Sequence, residues 1–235
     1  MLKKIVLNGQ IVEYELTRKK VKNINLRVRR DGTIGVSCSP RTSELRVEKF
    51  IRDNADFIIR ALAKTDDRAN NSLRPVNYET GELVSVYGSK YVLRVEEGTK
   101  DSLSVGDGEI VITCRHADSI EARAKIYEHW RRMELQTKVL AICEEVYPHF
   151  KALGVMYPKA IKFRSMTSRW GSCKPKDGVL TFNYNLFETP DEAIEYVVVH
   201  EFAHFLEANH SSKFYAQVAR VLPNYNDRRK LLKEY

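Results

Sequence analysis

The sequence predicts an α+β protein with an N-terminal β-rich region followed by a domain in which a metal-binding helix packs on a small sheet. Two observations predict this class. Short alternating runs of apolar and polar residues dominate up to about residue 115, and helical apolar spacing dominates afterwards. The 235 residues suffice for one large domain or two small ones. We therefore expect a β-rich region with a basic face over residues 1–115 and a second domain over residues 116–235.

The N-terminal stretch is expected to form a β-meander and then a helix. Asn8-Gly9 is a strong hairpin signal because both residues accept positive φ, and residues 24–28 alternate before a turn at Asp31-Gly32. Apolar residues recur at helical spacing over 47–64, which predicts a helix there. The polar stretch 65–74 is expected to be a loop or linker.

A second β region and a long helix follow. Residues 83–113 contain four short strand patterns separated by glycines. Asp118 and Glu121 form a capping box for a helix that runs to about Leu153, and Pro148 is expected to kink or divide it. No internal repeat is evident in the sequence.

The last third combines a small sheet with the metal-binding helix. Residues 161–184 contain two strand patterns around the segment SRWGSC. The run Thr189-Pro190-Asp191-Glu192 predicts a helix start, with Thr189 as the cap, Pro190 at the first helical position and Glu192 closing a capping box. This helix is expected over 190–207, and a further basic helix is expected over 224–233.

The segment HEFAHFLEANH carries the site chemistry. His200 and His204 stand four residues apart and share one helical face, where two imidazoles can hold one metal ion. His210 is the natural third ligand if the chain reverses after the helix, with Ser211 or Ser212 capping the next helix. Glu201 is placed to take a proton from a water on the metal. Imidazole ligands favour zinc.

Composition indicates possible partners, the state of the cysteines and the location of the protein. The formal net charge is +8, and residues 1–75 hold 17 Lys and Arg against 9 Asp and Glu. A basic face of this kind could attract nucleic acid or a polyanionic substrate, or only keep the protein soluble. The four cysteines form no CxxC pair, which favours reduced thiols. No apolar run is long enough to span a bilayer, and we expect a cytoplasmic protein.

Several segments together resemble the YgjP-like metallopeptidases, a zincin-type group similar to SprT-like proteases. The resemblance implies a zincin-like catalytic domain, zinc at His200, His204 and His210, and a catalytic Glu201. The chain departs from the family pattern at Tyr215, where Trp is common, and at Leu231-Leu232, which replaces Trp-Leu. The segments that carry the resemblance are INLRVRRDG (24–32), GELVSVYGSKYVLRV (81–95), SRWGSC (168–173), Gly178–Asn183, YVVVHEFAHFLEANHS (196–211) and PNYNDRR (223–229).

Three functions are open at this point. The first is a zinc metallopeptidase in which Glu201 is the general base for a zinc-activated water, with Arg169 or Tyr225 steadying the oxyanion. The second is a nucleotide pyrophosphatase, because one member of the family is described as a UTP pyrophosphatase and Arg169, Lys174 and Lys176 could clamp phosphates. The third is a non-catalytic nucleic-acid-binding protein, against which the intact Glu201 argues.

Overall fold

The structure, a computed structural model, describes residues 2–29, 32–71 and 73–235, without the side chains of 64–71. It has the mixed α+β architecture that the sequence predicts. The chain divides into two compact units, Met1–Asn70 and Asn71–Tyr235. This division does not coincide with the expected boundary at residue 115, because the second β region lies within the second unit. As a division into functional domains, 1–115 and 116–235 stays a prediction.

The first unit is a four-stranded sheet with two helices. Its strands are β1 (Leu2–Leu7), β2 (Gln10–Arg18), β3 (Asn25–Val28) and β4 (Ile34–Cys38), in the order β1-β2-β4-β3. The helices are α1 (Glu44–Asp53) and α2 (Ala55–Asn71). The unit has a core of its own, which includes Tyr14, Val36, Ile51 and Ile58.

Two features of this unit test the sequence predictions. The predicted hairpin turn forms, with φ of 48° at Asn8 and 83° at Gly9. Gly32 also has positive φ, 79°, whereas its turn partner Asp31 lies outside the described residues. The predicted loop at 65–74 is wrong as far as residue 71, because α2 continues to Asn71. The stretch 65–71 lacks apolar periodicity, but it also lacks Gly and Pro, so nothing in it ends a helix.

The second unit begins with another four-stranded sheet and the long helix. Its strands are β5 (Leu83–Val86), β6 (Ser89–Glu97), β7 (Ser102–Gly106) and β8 (Glu109–Cys114), in the order β5-β6-β8-β7. Helix α3 spans Ile120–Lys151 and its cap is Ser119, whose Oγ accepts a hydrogen bond from the Ala122 N–H at 3.3 Å. The predicted cap at Asp118 is therefore wrong by one residue. Pro148 does not divide the helix, because α3 continues through it to Lys151.

The two four-stranded sheets are an internal repeat that the sequence did not reveal. Each has an antiparallel pair, a central parallel pair and a second antiparallel pair in the same order, and the register matches: Tyr14 pairs with Ile34 where Leu93 pairs with Ile110. Both hairpins turn through two residues with positive φ, Asn8-Gly9 and Tyr87-Gly88. The chain therefore contains two copies of one ββββα module.

The rest of the second unit carries the metal-binding helix. Its strands are β9 (Ala160–Arg164), β10 (Gly171–Lys174) and β11 (Val179–Asn183), in the order β10-β11-β9. A 3₁₀ helix (Tyr184–Glu188) leads into α4 (Asp191–Ala203), and α5 (Ser212–Val221) and α6 (Tyr225–Leu231) follow. The Ser211 Oγ accepts from the Phe214 N–H at 3.3 Å, which confirms Ser211 as the cap of α5.

The predicted start and end of the metal-binding helix are corrected. Thr189 does not cap α4; its hydroxyl donates to the Leu186 carbonyl at 2.9 Å and closes the 3₁₀ helix instead. Pro190 is the cap residue, and Glu192 makes no capping hydrogen bond. The helix ends at Ala203 instead of residue 207, so His204 already lies in its C-terminal cap.

Two sets of contacts fix where α4 begins. Glu188 is buried and accepts from Arg74 at 2.8 and 2.9 Å and from Arg131 of α3 at 2.8 Å. The turn Tyr87-Gly88 donates backbone hydrogen bonds to the carbonyls of residues 187 and 188 at 2.9 and 3.2 Å. The ββββα module of the second unit therefore fixes the segment that leads into α4.

Candidate active site

Three histidines meet at the C-terminal end of α4. His200 lies in the last turn, His204 is the cap residue, and His210 comes back from the loop before α5. The Nε2 atoms of His200 and His210 are 2.9 Å apart. One ligand nitrogen from each of the three rings lies within 4.8 Å of the others. The structure thus brings together the three histidines that the sequence selected.

Neighbouring groups orient the three rings. The His204 Nδ1 is 3.1 Å from the Glu207 carbonyl, which can only accept, so Nδ1 carries the proton and Nε2 keeps its lone pair. The Tyr196 hydroxyl lies 3.2 Å from the His200 Nδ1. The ring of Phe214 packs against all three imidazoles, with centroids 4.6 to 4.9 Å away. Sequence reasoning missed this role of Phe214.

Burial keeps His200 and His204 in the neutral form that binds metal. It lowers the pKa of His200 to about 3, helped by the nearby His204, His210 and Arg229. The pKa of His204 is also lowered, again mainly by burial. Ligand histidines must be neutral, so these two rings need to release no proton to bind a metal at neutral pH.

The geometry fits a metal ion of zinc's size. Tetrahedral coordination with Zn–N bonds of about 2.05 Å places two ligand nitrogens about 3.3 Å apart. The Nε2 atoms of His200 and His210 are slightly closer than this, at 2.9 Å. All three ligand nitrogens lie within 4.8 Å of one another, so the rings would have to adjust to hold one ion.

The side chain of Glu201 is buried and lines the same cavity as the three histidines. The residue is only 5% exposed, and its Oε2 has no hydrogen-bond partner among the described residues. Burial raises the pKa of Glu201 to about 8, although the charge of Arg169 acts in the opposite direction. The side chain packs on Gly171 of β10 so closely that a Cβ there would lie 2.6 Å from Oε1. Glu201 is therefore held in place and is more basic than a solvated carboxylate.

A cavity of about 740 Å³ opens onto these residues. Arg169, Gly171 and Cys173 line it on the side of β10, and Arg229 and Lys233 line it from the C-terminal segment. Burial, assisted by the charge of Glu201, raises the pKa of the Cys173 thiol to about 12, so this thiol is neutral.

The predicted substrate-binding residues divide into two groups. Arg169 lines the cavity, whereas Lys174, Lys176 and Tyr225 are not part of its lining. Tyr225 stacks on Tyr215, with ring centroids 5.5 Å apart and planes 16° apart. Sequence reasoning missed Arg229, although the quoted segment PNYNDRR contains it.

Comparison with known proteins identifies the class and the family. A family model described as the YgjP-like metallopeptidase domain matches residues 22–235. The protein is accordingly a metal-dependent hydrolase by class. The chain belongs to the YgjP-like family, as its motifs led us to expect.

Other comparisons add little. One solved structure that is similar is the crystal structure of the metallopeptidase zymogen of Pyrococcus abyssi abylysin. Sequence identity is 21%, the matched region covers 40% of this chain and 90% of that chain, and the TM-score is 0.36. No curated protein matches the chain. Among the described residues, no helix is both long and apolar enough to cross a membrane.

Proposed function

We propose that the protein is a zinc-dependent hydrolase, and specifically a metallopeptidase, with zinc held by His200, His204 and His210 and with Glu201 as the general base. One observation carries the proposal: a buried carboxylate oxygen without a hydrogen-bond partner among the described residues belongs to Glu201, which is adjacent in sequence to one of the three clustered histidines. A purely structural metal site has no use for such a carboxylate. A base in a hydrolytic reaction does.

The residues of the chain divide the chemistry among them. Zinc at this position would polarise the scissile carbonyl and lower the pKa of a water. Glu201 would take the proton of the attacking water and deliver it to the leaving amine. Its burial raises its pKa to about 8, which suits a group that must both accept and return a proton near neutral pH.

The strand beside the site supports a peptide substrate. β10 (Gly171–Lys174) is an edge strand of its sheet, paired on one side with β11, and it supplies part of the cavity wall. An extended peptide could add to this edge through main-chain hydrogen bonds. Arg169 stands at the start of this wall and is our candidate for steadying the oxyanion, whereas Tyr225 is a weaker candidate because it stacks on Tyr215.

Nucleotide pyrophosphate hydrolysis is the second candidate. The charge of the cavity lining favours it. Three cationic residues line the cavity, Arg169, Arg229 and Lys233, against one acidic residue, Glu201. Cations in these positions could hold phosphates while the same site performs the hydrolysis. Lys174 and Lys176, which the sequence suggested for this role, would have to act from outside the cavity lining.

Glu201→Gln tests both candidates at once. We expect the zinc-loaded variant to lose about 10²- to 10⁴-fold in turnover, the usual contribution of a general base, while its zinc content is unchanged. Glu207→Gln is the matched control, because Glu207 contacts the site through its backbone carbonyl. Unstructured peptides and UTP are assayed side by side, and the substrate that wild type hydrolyses decides between the candidates. Unchanged turnover in Glu201→Gln would refute both.

Nucleic-acid binding by the basic N-terminal region stays a separate prediction. Part of its positive charge is neutralised, since Lys4 pairs with Glu13 and Arg29 pairs with Glu15, each at 2.9 Å. Salt-dependent binding of a duplex oligonucleotide by the full chain would support this partner. Cytoplasmic localisation is likewise a proposal, and fractionation of cells would test it.

A further inference from the structure

We propose that the cleft recognises its substrate through an anionic oxygen group, a carboxylate or a phosphate, and that the guanidinium of Arg229 binds this group. The inference deepens the proposed function, because it names the substrate class of the same site. It stands on the contacts of Arg229, on the charge of the cavity and on the aromatic residues that orient the guanidinium.

Arg229 differs from its neighbours in the basic run of α6. Arg228 forms an ion pair with Glu195, and Lys230 forms one with Asp227 at 2.8 Å. Among the described residues, no carboxylate oxygen lies within 4.0 Å of Arg229; its Nη1 instead donates to the Tyr215 hydroxyl at 3.3 Å. Of these three cations of α6, Arg229 is the one that lines the cavity, and it has no carboxylate partner among the described residues.

Aromatic residues hold this guanidinium in position without cancelling its charge. Its central carbon lies 5.6 Å from the centroid of the Tyr215 ring, a cation–π distance. Tyr215 stacks in turn on Tyr225 and lies near His210, with ring centroids 5.5 and 6.3 Å away. One aromatic row thus connects Arg229 to the histidine cluster, and Tyr225 orients Arg229 through Tyr215.

The surrounding charge favours an anion. Arg169 also lines the cavity, and within the described part of the chain it forms no ion pair, although it lies close enough to Glu201 to affect the pKa of that residue. Arg74, Arg94 and Arg115 of the same unit, by contrast, have carboxylate partners. Arginine binds a carboxylate or a phosphate through two parallel hydrogen bonds, which are stronger than hydrogen bonds between neutral groups. The unpaired arginines therefore provide a site for a substrate anion.

Binding of two probe anions tests the proposal without depending on turnover. Succinate and inorganic phosphate are titrated calorimetrically into the zinc-loaded Glu201→Gln protein, with and without Arg229→Gln. A charged hydrogen bond of this type contributes enough that its loss should weaken binding on the order of 10- to 100-fold. Arg229→Lys keeps the charge but loses the fork, so its binding should lie between the two. Zinc content is measured on every variant.

Arg220→Gln is the matched control. It removes the same charge from α5, where Arg220 donates to Gln217 at 3.1 Å, and Arg220 is not part of the cavity lining. If Arg229→Gln weakens the binding of succinate but not of phosphate, the site is assigned to carboxylate groups of peptides. If it weakens the binding of phosphate but not of succinate, the site is assigned to phosphate esters. Equal binding of both anions by Arg229→Gln and its parent overturns the proposal. Because no turnover is measured, failure of the proposed hydrolase reaction would show separately, in the Glu201→Gln assay.

Discussion

Gly171→Ala should abolish most activity, because the added methyl group would displace the carboxylate of Glu201. The added Cβ would lie 2.6 Å from the Glu201 Oε1, 2.7 Å from its Cγ and 2.9 Å from its Cδ, all shorter than real Cβ contacts. Glu201 is buried, so its side chain has little room to retreat. A displacement of about 1 Å in a catalytic group costs about 100-fold, and complete loss of a general base costs up to about 10⁴-fold. We expect a loss of turnover within this range.

The assay compares turnover, zinc content and thermal stability in Gly171→Ala and in Gly106→Ala. Gly106 is the control because a Cβ there meets no atom within 4 Å. Overpacking at Gly171 should cost about 1–3 kcal/mol of stability, so the protein should still fold and bind zinc through the three histidines. Full activity of a folded, zinc-loaded Gly171→Ala protein would refute the position or the role that we assign to Glu201.

Two other substitutions and one alkylation experiment test residues that surround the site. Asn183→Ala should lower the free energy of unfolding by about 2–4 kcal/mol, because the buried amide makes four hydrogen bonds, three of them to the segment 166–169, and a thermal melt should detect the loss. Glu188→Gln should cost about 3 kcal/mol in denaturant unfolding, because it removes the buried carboxylate that Arg74 and Arg131 share and leaves the buried Arg131 with Glu128 alone. Cys173 in the metal-free protein should react with iodoacetamide about 10³-fold more slowly than a free thiol at pH 8, because its pKa is about 12.

Each of these predictions has its own control or contrary outcome. Asn224→Ala removes one exposed hydrogen bond, to Arg228, and should leave the melting temperature nearly unchanged. Asp227→Asn breaks an exposed ion pair with Lys230 and should be close to neutral. Rapid alkylation of Cys173 would contradict the pKa direction that burial and the Glu201 charge impose.

More of the candidate site than of its helix boundaries could be predicted from the sequence. The spacing of His200, His204 and His210 is a local property, and the structure does bring the three rings together. The start of α4 was mispredicted because Thr189 has two possible partners: its hydroxyl closes the preceding 3₁₀ helix, so it does not cap α4. Local patterns do not decide such a competition.

The internal repeat was hidden for a different reason. The two modules share buried positions and turn positions but only some residue identities: Ile34 matches Ile110 and Gly9 matches Gly88, whereas Tyr14 occupies the place of Leu93 and Asn8 that of Tyr87. Turn geometry and strand pairing therefore match where the residue types differ. Arg229 was overlooked because it lies in a charged run on a short helix, and only tertiary structure distinguishes it from the paired Arg228.

Zinc binding by His210→Ala tests the central claim most directly. A competition titration with a chromophoric chelator measures the zinc affinity and stoichiometry of wild type, His210→Ala and His129→Ala, the last being an exposed histidine of α3. We predict one zinc per chain with the same affinity in wild type and His129→Ala, and at least about 100-fold weaker binding when one of the three imidazole ligands is lost. Unchanged zinc affinity in His210→Ala would contradict the histidine site on which the proposed hydrolase depends.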